Sequence, residues 1–423
     1  MNRRDLLKTA SAFTALQLAG CATGTAPPVT RGRVVIIGGG FGGATAAKYL
    51  SLWSGRGLEI YLVDRNHQFV SCPLSNLVLG GSRRMEDITR GYEGLRERGI
   101  RLMGDEVTAI DTQKKVVKFG QRFADINYDR LIIAPGIDFM FDAIQGLDAE
   151  AQKTVLHAWK AGPDTVALRR QLEAMPDGGT YVLSIPRAPY RCPPGPYERA
   201  CQVASYFKQA KPRSKVLILD ANEDVTSKAG LFKAAWKDLY PGIVEYRPNS
   251  EVKSVDVKNM TVKTDFDTVK GHVLNVLPPM RAADIARKTG LVTANDRWCG
   301  VDWLSMESLA QPGIHVLGDA TLSAPAMPKS GHMANQHGKL AAAAIIELMN
   351  GHQPEVPANI INSCYSFVSA REAIHVSSVH RYDAAQKTLV TVPGSGGLSS
   401  ARNDIEGLYA LAWAQNIWRD MLD

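Results

Sequence analysis

The chain has 423 residues, of which 45% are hydrophobic and 22% charged, with 37 Gly, 22 Pro and 6 Cys; this is globular usage and excludes a fibrous, disordered or disulfide-scaffold protein. At roughly 100–200 residues per domain, two or three domains with a large core are expected, so any paired cysteines should be chemical and not structural staples. The formal charge of +7 is spread without a Lys/Arg block and aromatics are only 7%, which excludes a nucleic-acid groove and suits a small anion or an acidic partner.

Residues 1–21 read MNRRDLLKTASAFTALQLAGC, with Arg3 and Arg4 ahead of an apolar stretch too short to span a bilayer. This predicts export by the twin-arginine (Tat) route, which carries folded cargo, and hence a periplasmic protein. Leu18-Ala19-Gly20-Cys21 also resembles a lipoprotein cleavage box, which would make Cys21 a lipidated membrane tether; an ordinary signal with a chance cysteine is the alternative.

The apolar run 33–37 predicts a buried strand, followed at once by Gly38-Gly39-Gly40-Phe41-Gly42-Gly43 and a helical stretch. In this Gly-x-Gly-x-x-Gly pattern Gly38 allows the tight turn, Gly40 lets backbone approach a pyrophosphate, and Gly43 lets helix and strand pack closely. A second strand, 59–63, ends in Asp64, 21 residues beyond Gly43, where an acid can hold ribose hydroxyls. Farther on, residues 128–136 (YDRLIIAPG) form a buried strand ending in a small-residue turn at Ala134 and Gly136, and residues 313–320 (GIHVLGDA) another ending in Gly-Asp. Both resemble signatures of flavoproteins with two dinucleotide-binding domains. That resemblance implies FAD, with Asp319 on its ribityl chain, and a helix at 338–348 whose N-terminal approach, with Lys329, would stabilise negative charge on the reduced flavin.

In such flavoproteins an inserted domain carries a second glycine-rich turn for NAD(P)H. Here the strand 180–185 instead runs into PRAPYRCPPGPYERA, and proline lacks the N–H donors of a phosphate cradle. NAD(P)H is therefore disfavoured as electron donor, although the strand 215–220 keeps its terminal acid, Asp220. The expected architecture is α/β: two Rossmann-like dinucleotide-binding domains, glutathione reductase-like, plus a small C-terminal α+β interface domain. The expected limits are 1–30 for signal and linker, 31–150 and 276–350 for the FAD-binding domain, 151–275 for the second domain and 351–423 for the interface domain.

Three runs together, RCPPGPYER around Cys192, MPKSG around Lys329 and NSCYS around Cys364, resemble one family: the flavoprotein subunit of flavocytochrome c sulfide dehydrogenase. The resemblance runs from about residue 33 to the C-terminus. It implies a redox disulfide between Cys192 and Cys364 beside the flavin, covalent FAD through Cys72 in FVSCPLSN, and Glu198 as the acid that manages protons. Sulfide would attack the disulfide and electrons would leave singly to a haem. Within these residues there is no Cys-x-x-Cys-His, so the haem is expected on a partner chain, a c-type cytochrome subunit. A sulfide:quinone oxidoreductase-type enzyme and an accessory flavoprotein of a thiosulfate-oxidising system are the competing readings. Cys201, on a helix expected at 198–207, and Cys299 read as buried small hydrophobes, with Cys201 near enough in sequence to Cys192 to keep thiol exchange open. His332 and His337 are five apart with no third ligand evident, so no metal is expected there. An aromatic-rich helix at 408–418 should pack on the body of the protein, with dipping into a membrane surface as its alternative.

Overall fold

The strand Gly32–Ile37 is apolar from Val34 onward, as a strand covered on both faces must be, and it lies at the centre of a five-stranded parallel sheet. The order across that sheet is Ile314–Val316, Arg130–Ile133, Gly32–Ile37, Leu58–Val63, Arg101–Met103. Its edge strand Ile314–Val316 follows the second domain in sequence, so the chain leaves this layer after Ile133 and returns to complete it. The computed structural model describes residues 31–120, 122–354 and 359–423; Arg3, Arg4 and Cys21 lie outside them.

One face of this sheet is covered by the helix Phe41–Trp53, which packs against Gly331–Met349. The contact is close because small residues face each other: a Cβ on Gly338 would sit 2.5 Å from the Gly42 carbonyl oxygen and 3.0 Å from the Ala46 nitrogen. The helix Gly331–Met349 begins seven residues before the expected Gly338. Its first turns are polar and read as loop, but the fold supplies partners for them. Ser330 caps the helix by accepting the Met333 N–H at 3.1 Å, and Asn335 donates to Thr45 at 2.9 Å and to Asp420 at 2.7 Å.

The second layer is a four-stranded parallel sheet in the order Val244–Arg247, Lys215–Asp220, Thr180–Ile185, Val273–Val276, extended by a three-stranded antiparallel sheet over residues 254–270. The Rossmann-like form of both sheets agrees with the α/β expectation. The helix Gly195–Ala210 starts earlier than residue 198, with Pro196 in its first turn, where a missing N–H costs nothing. A third, antiparallel sheet of Asn359–Phe367, Ala373–Asp383 and Thr388–Thr391 carries the last cysteine, Cys364, back to the first two layers.

The terminal helix, Asp404–Leu422, is longer than the 408–418 expected. Asn403 accepts the Glu406 N–H at 2.8 Å as its cap, a signal hidden in a serine-rich loop. Ala410, Ala414, Ile417, Trp418, Met421 and Leu422 are buried, and Asp420 accepts bonds from Tyr49 at 2.6 Å and Lys339 at 2.9 Å, which ties the helix to the first domain. Its outer face leaves Ile405, Leu408 and Tyr409 more than half exposed. Among the described residues no helix is long and apolar enough to cross a membrane.

Candidate active site

A cavity of about 860 Å³ runs from the glycine turn of the first layer to the junction of all three sheets. At one end Gly38 takes φ +101°, with the position of a Cβ occupied by the Ala134 carbonyl, so only glycine fits. A Cβ on Gly43 would collide with the Gly38 carbonyl, whereas Gly40 has open space beside it facing the cavity. Asp64 is at the strand end as expected. One of its carboxylate oxygens accepts the Gly39 N–H at 2.7 Å and the other the Asn66 N–H at 2.7 Å, which fixes both toward the cavity with lone pairs to spare for hydroxyl donors. Ala134 and Gly136, the latter at φ +68°, form the adjoining wall.

Asp319 supplies the test of fit for a flavin dinucleotide. Its Oδ1 is buried with no hydrogen-bond partner, a costly state for a carboxylate and one that a ligand hydroxyl would relieve. Burial raises its pKa, while Arg191 and Lys329 oppose that shift. An open glycine turn, a ribose acid and an orphaned acid along one cavity fit FAD. Asp319→Ala is expected to lower flavin incorporation by about tenfold or more, read as flavin absorbance per protein in the purified variant.

Lys329 lines the same cavity, where the resemblance implies a cation that stabilises negative charge on the reduced flavin. Its ammonium donates to the Asp319 carbonyl at 3.0 Å and to the Thr321 carbonyl, and lies 3.7 Å from the centre of the Trp298 ring. Burial pushes it down to about 8. It therefore acts at this wall through charge and by bracing the Gly-Asp turn, since its donors are already engaged.

At the cavity's other end the fold brings together residues far apart in the chain: Cys72, Cys192, Glu198 and Cys364. Cys192 sits in the left-handed region at φ +59°, held by its N–H to the Lys329 carbonyl at 2.8 Å and its C=O to the Gly195 N–H at 2.9 Å. Both Cys192 and Cys364 are free thiols and partly exposed to the cavity; the implied disulfide is not formed in this structure. Burial raises both thiol pKa values, and negative charge on Cys364 raises that of Cys192 further, so the two sulfurs share one electrostatic environment.

Glu198, in the first turn of Gly195–Ala210, is 9% exposed. Its Oε2 accepts from Asn76 at 2.9 Å and its Oε1 from the Phe367 N–H at 2.8 Å. Burial raises its pKa against the pull of those donors and of Lys228 and Arg199. A carboxyl raised in this way beside two thiols is placed to hold or release a proton. Cys72 accepts from Arg191 Nη1 at 3.3 Å. Arg191 also donates to the Trp159 carbonyl and so links the Cys72 loop to the Cys192 turn.

Several of these groups escaped sequence reasoning. Arg191 and Asn76 stand inside the runs that carry Cys192 and Cys72, and their polarity was the available signal. Lys228 had none, being 136 residues from Cys364, yet its buried ammonium donates to the Cys364 carbonyl at 2.9 Å and to Ser366 Oγ at 2.8 Å.

The second dinucleotide-like layer is closed by its own side chains. Asp220 is fully buried and accepts from Tyr197 at 2.7 Å, Tyr246 at 3.0 Å and the Asn222 backbone at 2.9 Å. The acid that would meet a ribose of bound NAD(P)H thus has its lone pairs taken, and buried Tyr190 and Tyr197 pack nearby, bonded to each other and to Thr226. Cys201 and Cys299 are both fully buried, as core cysteines would be. His337 is buried and accepts the Gly318 N–H at 3.2 Å, while His332 lines the cavity against Trp413 and accepts the Ser363 N–H at 2.9 Å. Burial lowers both imidazoles, to about 3 for His337 and about 4 for His332, so both are neutral. Among the described residues no group of three or more His, Cys, Asp or Glu is arranged to hold a metal.

Comparison with known proteins agrees with this geometry. Residues 32–174 match the pyridine nucleotide-disulphide oxidoreductase family model, 165–278 the central domain of the sulfide dehydrogenase [flavocytochrome c] flavoprotein chain, and 356–422 the flavocytochrome c sulphide dehydrogenase flavin-binding domain. A sulfide dehydrogenase [flavocytochrome c] flavoprotein chain from Chlorobaculum thiosulfatiphilum is 50% identical over 46 residues, 11% of this chain and 94% of that sequence. The chain belongs to the flavocytochrome c sulfide dehydrogenase flavoprotein family. A mitochondrial sulfide:quinone oxidoreductase from Dictyostelium discoideum is 21% identical over 300 residues, 68% of this chain and 65% of that protein. The solved sulfide:quinone oxidoreductase of Aquifex aeolicus shares the fold, with a TM-score of 0.74 at 18% identity over 92% of this chain and 91% of that one. Within the sulfide dehydrogenase family, the two family-specific matches cover Cys192 and Glu198 in one and Cys364 in the other, the segments that the fold brings to one wall.

Proposed function

We propose that this protein is a periplasmic FAD enzyme that oxidises sulfide to zero-valent sulfur or polysulfide and passes the electrons to a c-type cytochrome subunit on another chain. The observation that carries the reading is the meeting of Cys192, Cys364 and Glu198 at the wall of the flavin-type cavity, in a molecule whose second dinucleotide layer is closed by Tyr197 and Asp220. With Asp220 engaged by its own neighbours, another electron entrance is favoured, and two neighbouring thiols provide one.

In the oxidised enzyme Cys192 and Cys364 are joined. Hydrosulfide attacks one sulfur; the old S–S bond breaks, a new one forms in a cysteine persulfide, and the other cysteine leaves as a thiolate bearing the electron pair of the broken bond. Glu198 takes the proton when the incoming species is hydrogen sulfide, or returns one to the leaving thiolate. Asp319, Asp64 and the Gly38–Gly43 turn would hold FAD, which when bound would supply a two-electron acceptor able to release electrons singly. Cys72, which lines the cavity with its sulfur beside Arg191, would be the residue to anchor that cofactor covalently. The twin arginines at Arg3 and Arg4 support export, and a lipidated Cys21 would hold the enzyme at a membrane.

Delivery to quinone is a second reading, favoured by the exposed apolar face of Ile405, Leu408 and Tyr409 and by the likeness to sulfide:quinone oxidoreductases. Anaerobic titration of the purified protein separates these readings. Sulfide is expected to bleach the flavin and NADH to leave it unchanged; bleaching by NADH alone overturns the proposal. Reoxidation by a c-type cytochrome without detergent supports the cytochrome route, and reoxidation only by quinone moves the acceptor. Acid-denatured wild type is expected to keep its flavin and Cys72→Ala to release it.

A further inference from the structure

Lys228 lies in a place that local physics disfavours. It is the N-cap of the helix Ala229–Leu239, where a positive charge opposes the helix dipole, and it takes left-handed backbone angles of φ 57° and ψ 36°, costly for a long side chain. It is also 4% exposed, although a lysine is almost never buried without partners. Three local penalties at one residue indicate a role set elsewhere in the molecule. The side chain crosses to the C-terminal sheet, where its ammonium binds the Cys364 carbonyl and Ser366 Oγ.

We propose that Lys228 is the positioning residue of the redox cysteines, holding the Cys364 segment in place and stabilising negative charge on the sulfur that leaves when sulfide opens the disulfide. The proposal rests on the sulfide-oxidising reading above. The attack moves an electron pair onto a departing sulfur in a site that burial makes hostile to anions, so a fixed cation close by lowers the cost of that charge. Burial lowers the pKa of Lys228, and negative charge on Cys364, Glu198, Cys192 or Glu406 opposes that shift. Burial likewise raises the pKa of Cys364, with Lys228 opposing and Glu198 adding to the rise; Cys192 feels Lys228 in the same sense, together with Arg191. Lys228 touches the Cys364 backbone and not its sulfur, so its effect is electrostatic and geometric and involves no proton transfer.

The test needs neither sulfide nor an electron acceptor. The holoenzyme is reduced anaerobically, and iodoacetamide alkylation of Cys364 and Cys192 is followed by mass spectrometry as a function of pH. Lys228→Gln is expected to move the Cys364 profile upward and slow its alkylation at pH 8 by about tenfold or more, whereas Lys228→Arg, which keeps the charge, stays within about threefold of wild type. An unchanged profile in Lys228→Gln overturns the proposal, and so does an equal shift in both variants, which would make the role purely structural. Should Lys228→Gln not fold, Ser366→Asp gives the ammonium a carboxylate partner and is expected to move the profile upward as well; no movement there also overturns it. If wild type is not bleached by sulfide but the profiles move as expected, the sulfide reading fails, while Lys228 still positions Cys364 and stabilises negative charge on its sulfur.

Discussion

Cys364→Ser is expected to lower the rate of sulfide-dependent flavin reduction by on the order of a thousandfold, with Cys192→Ser equally inactive, because removing either member of a unit that acts together removes the whole route. The measurement is anaerobic stopped-flow absorbance with sulfide, alongside dithionite as a reductant that needs no cysteine. Dithionite reduction should be unchanged in both variants. The thiols share one wall and one electrostatic environment, so a serine hydroxyl at either position cannot be attacked and cannot leave as an anion. Sulfide reduction at the wild-type rate in either variant would show that electrons enter elsewhere. Cys201→Ser serves as the contrasting case: its thiol is buried in the core of Gly195–Ala210, and sulfide reduction should proceed normally in the folded variant.

The second large effect is expected for Glu198→Gln. Glutamine preserves shape and one acceptor, so the Phe367 N–H keeps its partner, but it cannot exchange a proton. A loss of about a hundredfold in the sulfide half-reaction is expected. The pH profile decides whether proton transfer is the cause. Burial raises the pKa of Glu198, so wild type should show an ionisation above the ordinary glutamate range: the carboxyl is protonated and ready to donate below it, ionised and ready to accept above it. That ionisation should vanish in Glu198→Gln. If the rate falls with the same profile retained, Glu198 is a packing residue joining Asn76 to the strand Asn359–Phe367.

Much of this site could be read locally. The strand–turn–helix around Gly38, Gly40 and Gly43 is a pattern in which each glycine has a separate steric reason; the structure shows close backbone at Gly38 and Gly43 and open space beside Gly40. The ends of strands, Asp64 and Asp319, were legible because parallel strands place their terminal residues along one edge. The helix Gly331–Met349 begins before the sequence predicts because its polar first turns look like loop until Thr45, Asp420 and Asn362 become their partners. The charge of Lys329 is legible in the sequence, whereas its carbonyl partners and the Trp298 ring are known only from the fold.

By itself the sequence determined the α/β class, the glycine turn with its acids, and the absence of a second glycine motif between residues 180 and 200, because these depend on short-range sterics and on which groups can donate N–H bonds. The tertiary structure alone decided that Cys192 and Cys364, 172 residues apart, share a wall, that Asn76 and the Phe367 N–H grip Glu198, and that Lys228 reaches the Cys364 carbonyl. The electrostatics of a buried acid, a buried amine and two thiols depend on distance and burial, and neither quantity exists until three sheets have closed on one another.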